Sequence, residues 1–222
     1  MLKTEGLYHS HYDVSYETRS YFKTERNILG DMNNIPIPDF IKQGANEIYH
    51  NLSAGIKRNR QRKLMIYFCI SKSYEYYKIP YLPSVIAAHV GIKMTEIHKS
   101  NNMFNKLLKI SIDIEFMPKD YIPLLLSYIQ LTEDHTQYII KICQYVLSKD
   151  RSLMDEYPQD IAGAVILYYL DLIDVQLENQ SNLVYKKVSG VSVNEQLYST
   201  ILGKSAERLK TLKNEICQVY NS

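Results

Sequence analysis

Apolar positions recur along this chain at helical intervals, and no convincing strand appears between them. In the leading half the pattern predicts helices over roughly 14–32 (Phe22, Leu29 and Met32 on one face), 38–53, 60–77, 82–89 and 94–110. In the trailing half it predicts 119–131, 133–149, 159–176, 182–188 and 194–217. The punctuation agrees. Pro36, Pro38, Pro80, Pro83, Pro118 and Pro158 fall at proposed starts or in connections, where a missing N–H does least harm. Asp39 and Thr132 are placed to cap the helices that follow them. Gly91 and Gly190 fall in turns that call for a left-handed residue.

The halves share this pattern. Sliding the sequence by 99 residues, the separation of Gly91 and Gly190, lays "LMIYFCISKSYE" (64–75) on "GAVILYYLDLID" (163–174) without a gap. It also sets Phe40 on Ile139, Ile41 on Ile140, Gly44 on Cys143 and Ile48 on Leu147. Identity is low, so the match is one of pattern. The third helix of each half is apolar nearly all round, as a helix enclosed by its neighbours must be. Ala162, Gly163 and Ala164 let those neighbours come close. The expected architecture is all-α, four helices about a central fifth, twice over: a short arm (1–12), a first unit (13–112) and a second (113–222).

Charge separates the units. The net charge of +2 conceals 15 Lys and Arg against 8 Asp and Glu in 13–112, a balance of +7, and 10 against 15 in 113–222, a balance of −5. Such asymmetry suggests that the halves face different partners. The three cysteines, Cys69, Cys143 and Cys217, form no C-x-x-C, so neither a zinc ribbon nor a dithiol redox motif is built locally. Cys69 and Cys143 lie in apolar helices and read as core thiols in a reducing compartment. His9 and His11 beside Asp13 lack further ligands nearby, so no metal or other cofactor is expected. The N-terminus has no apolar signal segment, and the apolar runs are too short for a bilayer, so no membrane partner is expected. No catalytic motif stands out, and an enzyme is not expected.

The order of signals resembles a known family. A basic stretch leads into a buried helix ("IKRNRQRKLMIYFCI"). A short helix and a helix-turn-helix follow ("YLPSVIAAHVGIKMTEIHKSNNMFNKLLK"), and a proline-led helix opens the second half's core ("YPQDIAGAVILYY"). This is similar to the core of transcription factor IIB and its relatives, over nearly residues 13–217. The resemblance implies two tandem five-helix cyclin-like repeats and a non-enzymatic function. The expected role is bridging promoter DNA, a TATA-box-binding protein and RNA polymerase during transcription initiation. There are two departures. Relatives usually carry an N-terminal zinc ribbon that docks on polymerase, and this chain has no cysteine before Cys69. Where the family reads bases with a valine and an arginine, the positions here fall near Ser199 and Leu202. The missing ribbon and the Lys- and Tyr-rich composition suggest a divergent member, from a large DNA virus or a protist. The expected location is the nucleus, or cytoplasmic replication sites for a virus.

The candidate contacts with DNA or polymerase follow. Lys57, Arg58, Arg60, Arg62 and Lys63 crowd a helix N-terminus, where cations oppose the macrodipole, so an outside anion is expected to compensate them. On the first recognition-like helix Lys99, Asn102 and Lys106 share an outer face, joined by Lys93 and Thr95, with Ile97, Phe104, Leu107 and Leu108 turned inward. Lysines there favour phosphate over base edges. In the second corner Ser199, Lys204 and Arg208 are the weaker candidates. Two rival readings share the fold: a cyclin that activates a protein kinase, and a cyclin-fold adaptor that has lost DNA binding.

Overall fold

A computed structural model describes residues 27–52, 55, 57–108, 114–129, 133–179 and 190–222. Among them the fold is all-helical, with no strand. The helices are α1 (Leu29–Met32), α2 (Asp39–Asn51), α3 (Asn59–Tyr76), α4 (Pro83–Val90), α5 (Ile97–Phe104), α6 (Pro118–Leu126), α7 (Glu133–Lys149), α8 (Pro158–Asn179), α9 (Gly190–Leu202) and α10 (Ala206–Tyr220). Short 3₁₀ turns flank α5 at Met94–Glu96 and Asn105–Leu107, and another, Arg151–Asp155, precedes α8.

Buried hydrophobic residues fall into two clusters. The first surrounds α3, which packs against α2, α4 and α5. Leu64 through Ser71 are all buried, together with Ser73. Each fully buried Leu, Ile or Phe there is worth roughly 1.5–3 kcal/mol. The second cluster surrounds α8, which packs against α6, α7, α9 and α10. Glycines let the central helices be approached closely. A β-carbon on Gly44 of α2 would sit 2.5 Å from Ser73 Oγ, and one on Gly163 of α8 would sit 2.7 Å from Leu202 Cδ1. Buried hydroxyls donate to carbonyls across the packing: Ser73 to Ile41 (2.9 Å), Ser100 to Leu64 (2.7 Å) and Tyr198 to Leu125 (3.2 Å). Cys69 and Cys143 are buried free thiols, and burial pushes both pKa values up, that of Cys143 to about 12.

The clusters meet at α4 and α9. Leu82, just ahead of α4, belongs to the second cluster. The Ser84 hydroxyl donates to the Ile201 carbonyl, and a β-carbon on Gly203 would lie 3.2 Å from both Ser84 Cβ and Met94 Cε.

Several boundaries differ from expectation. The helix expected over 194–217 is two helices, broken at Gly203, whose φ of 65° ends α9; the Ser205 hydroxyl then caps α10 by accepting from the Arg208 N–H (3.2 Å). Gly190 accordingly opens α9 instead of forming the turn, and Gly203 is the counterpart of Gly91. The expected single helix over 94–110 is a 3₁₀ turn, α5 and a second 3₁₀ turn, ending where Leu108 bridges to Leu52. Asp39 is the first residue of α2, not its cap, because Pro38 occupies that extended position. Pro123 lies inside α6, which ends at Leu126. Most of the helix expected over 14–32, the one over 182–188, Thr132, His9 and His11 lie outside the described residues. None of the described helices is long and apolar enough to cross a membrane.

Candidate nucleic-acid interface

The first helix-turn-helix corner runs from α4 through Gly91 into α5. Gly91 has φ 73°, which costs a residue without a β-carbon little. The Gly91 N–H donates to the Ala88 carbonyl (3.0 Å) and the Ile92 N–H to the Ala87 carbonyl (2.9 Å), so the last carbonyls of α4 are satisfied. Ile92 buries its side chain beneath the turn, and Phe104 anchors the far end of α5 in the core. Ile97, Leu107 and Leu108 pack against the same cluster. The inward stripe is therefore the expected one, which turns the opposite face of α5 to solvent.

Arg60, at the start of α3, locks this corner. Its Nη1 donates to the Gly91 carbonyl (2.7 Å), its Nε donates to Glu96 Oε1 (2.8 Å), and its Nη2 donates to Glu96 Oε2. Glu96 also accepts from the Lys93 N–H (2.8 Å). The Arg60 hydrogen bonds, followed by that from Lys93, hold the Glu96 carboxyl down at about 2. Arg62 forms a second fork, Nε to Asp31 Oδ1 (3.0 Å) and Nη2 to Asp31 Oδ2 (2.6 Å), and also donates to the Asn27 carbonyl (3.2 Å). The expectation that the basic run needs an outside anion is thus corrected for these two arginines. Glu96 and Asp31, distant in sequence, compensate them inside the fold.

The remaining cations are placed differently. Arg58 and Lys63 are exposed and Lys57 half-exposed, and none of their side chains has a hydrogen-bonding or ionic partner among the described residues. Lys63 Nζ lies over the turn, 3.0 Å from where a Gly91 β-carbon would be. Lys93, Thr95, Lys99, Asn102 and Lys106 are all exposed. Lys93 feels the Glu96 carboxylate without a close ion pair, and no described residue pairs with the ammonium of Lys99 or Lys106. Glu96 is the one carboxylate in residues 76–112, and Arg60 occupies it.

The second corner, from α9 through Gly203 into α10, repeats the turn. The Gly203 N–H donates to the Thr200 carbonyl (3.3 Å) and the Lys204 N–H to the Ser199 carbonyl (3.1 Å). Its three candidate residues are each paired within the fold, although Arg208 stays exposed. The Ser199 hydroxyl donates to the Lys204 carbonyl (2.5 Å). Lys204 Nζ meets Asp160 Oδ2 at 3.0 Å and lies 4.2 Å from the centroid of the Tyr157 ring. Arg208 pairs with Glu156. Asp160 is almost fully buried in the first turn of α8. Burial holds its carboxyl above the usual range, with Lys204 pulling the other way, and its Oδ1 has no hydrogen-bond partner.

The sequence pattern did not point to Glu96, Asp31, Glu156 or Asp160. A lone carboxylate in a basic stretch was a usable signal for Glu96. Nothing in the spacing tied it to Arg60, 36 residues upstream. Among the described residues no group of three or more His, Cys, Asp or Glu could hold a metal. No model of a known protein family and no curated protein matches this sequence.

Proposed function

We propose that this protein is a transcription initiation factor of the transcription factor IIB type, built from two cyclin-like repeats. In this reading it bridges promoter DNA, a TATA-box-binding protein and RNA polymerase. The first repeat, around α3, touches DNA through the corner at Gly91. The observation that supports this best is the charge state of that corner. Its only carboxylate is held by Arg60 and otherwise feels only Lys93, so Lys63, Lys99 and Lys106 present uncompensated charge around a rigid turn. Lysines on an exposed face contact phosphates as point charges and place the protein on the duplex without reading its sequence. Lys57 and Arg58 extend the same charge toward phosphate or an acidic polymerase surface. The second repeat, around α8, holds its corner cations internally and makes a protein contact, with the TATA-box-binding protein as the natural partner for its acidic surface. This division also supports the adaptor reading for the second repeat alone. The cyclin reading is separated by partner: a kinase, and no TATA-box-binding protein, would be recovered.

A mobility-shift titration on TATA-containing duplex, with and without a TATA-box-binding protein, tests the proposal. The expected result is a ternary complex whose log affinity falls with log salt. The Lys93→Ala/Lys99→Ala/Lys106→Ala variant should flatten that slope by about 0.9 for each phosphate it no longer neutralises. Binding indifferent to salt and to these substitutions would refute it.

A further inference from the structure

We propose that the groove between α7, α8 and α10 is a docking site for a short acidic peptide segment carrying apolar anchors. The groove is independent of the Gly91 corner. It has a volume of about 710 Å³, with a floor of Ile142, Leu172 and Ile173. Its walls carry Tyr138 and Tyr145 from α7, Tyr169 from α8 and Tyr220 from the end of α10. Tyr138 is 60% exposed and Tyr145 41%, more than core packing calls for. Tyrosine is a residue from which binding hot spots are made, because it offers large area with few torsions to freeze.

These rings are held in place. Tyr145 and Tyr220 meet edge to face with centroids 5.5 Å apart, and Tyr220 leans on the buried ring of Tyr168 at 5.5 Å. The Tyr169 hydroxyl and His135 Nδ1 are hydrogen-bonded at 2.7 Å. A wall already ordered loses little entropy on binding.

Charge selects the occupant. The second half is acidic overall, yet the charges over these rings are cations. Lys141 Nζ lies 5.7 Å from the Tyr138 centroid and Lys149 Nζ 5.4 Å from that of Tyr145. On the facing wall Lys213 and Asp171 pair at 2.9 Å. Asp134, one turn before Tyr138, is an exposed acid beside them. Among the described residues the rim is thus net positive above an apolar floor. Asp or Glu side chains would meet Lys141 and Lys149, a Leu or Phe would reach Ile142 and Ile173, and phenol hydroxyls would bond the peptide backbone. Single-stranded nucleic acid also uses tyrosines and lysines, but it needs open ring faces on which bases stack. Here a lysine covers a face of Tyr138 and of Tyr145, and Tyr145 and Tyr220 occupy each other's flanks.

The test pans a random peptide display library on the full-length chain. The most enriched peptide, fluorescein-labelled, is then titrated by anisotropy. The expected consensus sets Asp or Glu around Leu or Phe. Tyr138→Ala, Tyr145→Ala and Lys141→Glu, all at exposed side chains, should each weaken the labelled peptide about tenfold. Tyr76→Ala, exposed on the other cluster, should change it less than about twofold. Thermal melting of each variant confirms that it is folded. No consensus, a basic consensus, or binding unaffected by the three groove substitutions would overturn the proposal. So would oligo-dT binding more tightly than the peptide and losing affinity with the same substitutions.

Discussion

The corners at Gly91 and Gly203 have the same backbone and opposite electrostatics. Both end a helix on a left-handed glycine, both return two N–H groups to its last carbonyls, and both are tied by ion pairs to the start of a central helix. In the first, the central helix supplies the cation (Arg60) and the corner supplies the acid (Glu96). In the second, the acids stand just before the central helix (Glu156) and in its first turn (Asp160), and the corner supplies the cations (Lys204, Arg208). The lesson is that cationic residues on a helix-turn-helix say little until their partners are known. The same residue types are open to an outside anion at one corner and paired within the fold at the other.

The largest effect separating the corners should come from charge reversal. Lys93→Glu/Lys99→Glu/Lys106→Glu should lower duplex affinity by about 100-fold or more near 0.1 M salt, because each reversal removes one attraction and adds a repulsion. Lys204→Glu/Arg208→Glu should change affinity far less and mainly lower stability, by setting like charges against Asp160 and Glu156. Competition titrations beside melting curves distinguish the two outcomes, and equal weakening of DNA binding by both variants would erase the comparison.

Glycine substitution sharpens it next. Gly91→Ala should cost about 1 kcal/mol from left-handed strain. Gly203→Ala should cost about 2 kcal/mol, since its β-carbon also presses on Ser84 Cβ across the junction between clusters. Chemical denaturation measures both, and the reverse order would show that the junction yields.

A smaller effect belongs to the first corner's lock. Arg60→Glu should weaken DNA binding about tenfold by loosening the turn that presents the lysines, and Arg60→Glu/Glu96→Arg should recover most of it. If Arg60 instead touches phosphate, the double variant stays as weak as the single one. The acid response has a definite sign. Glu96 is held below its unfolded value, so its contribution is present above about 4.5 and is lost as pH falls toward about 2. The lock should survive at pH 4.

The smallest effect is a gain. Glu156→Gln/Asp160→Asn releases Lys204 and Arg208 and should raise duplex affinity by about threefold. Asp160 should tolerate the change, because burial already disfavours its charged form. An acid whose folded pKa is raised contributes most below its unfolded value and least once pH passes the folded one. Unchanged affinity with a normal melt would mean that the second corner lies away from the duplex.

Helix type and the two central helices were legible in the sequence, because long apolar periodicity survives any choice of partner. α3 and α8 begin one residue from where the pattern set them. The break at Gly203 was not legible, since "ILGKSAERLK" carries helix formers on both sides of one glycine, and the 99-residue repeat points to Gly190 for the turn. The exposure of Lys99 and Asn102 on α5 was legible from spacing, but the third member of that face, Lys106, falls in the 3₁₀ turn that follows the helix. What spacing could not supply was pairing. Arg60 and Glu96 lie 36 residues apart and Glu156 and Arg208 52 apart, and only the fold brings them together.

The inverted polarity of the corners has a consequence for assembly. A chain with two nearly interchangeable corners risks threading one central helix beneath the wrong one. Here that exchange would bring Arg60 to Lys204 and Arg208, and Glu156 and Asp160 to Glu96. Like charge would meet like on both sides of the error, at a cost that correct threading never incurs. On that argument the sign of each pair would act as an address label for two alike corners.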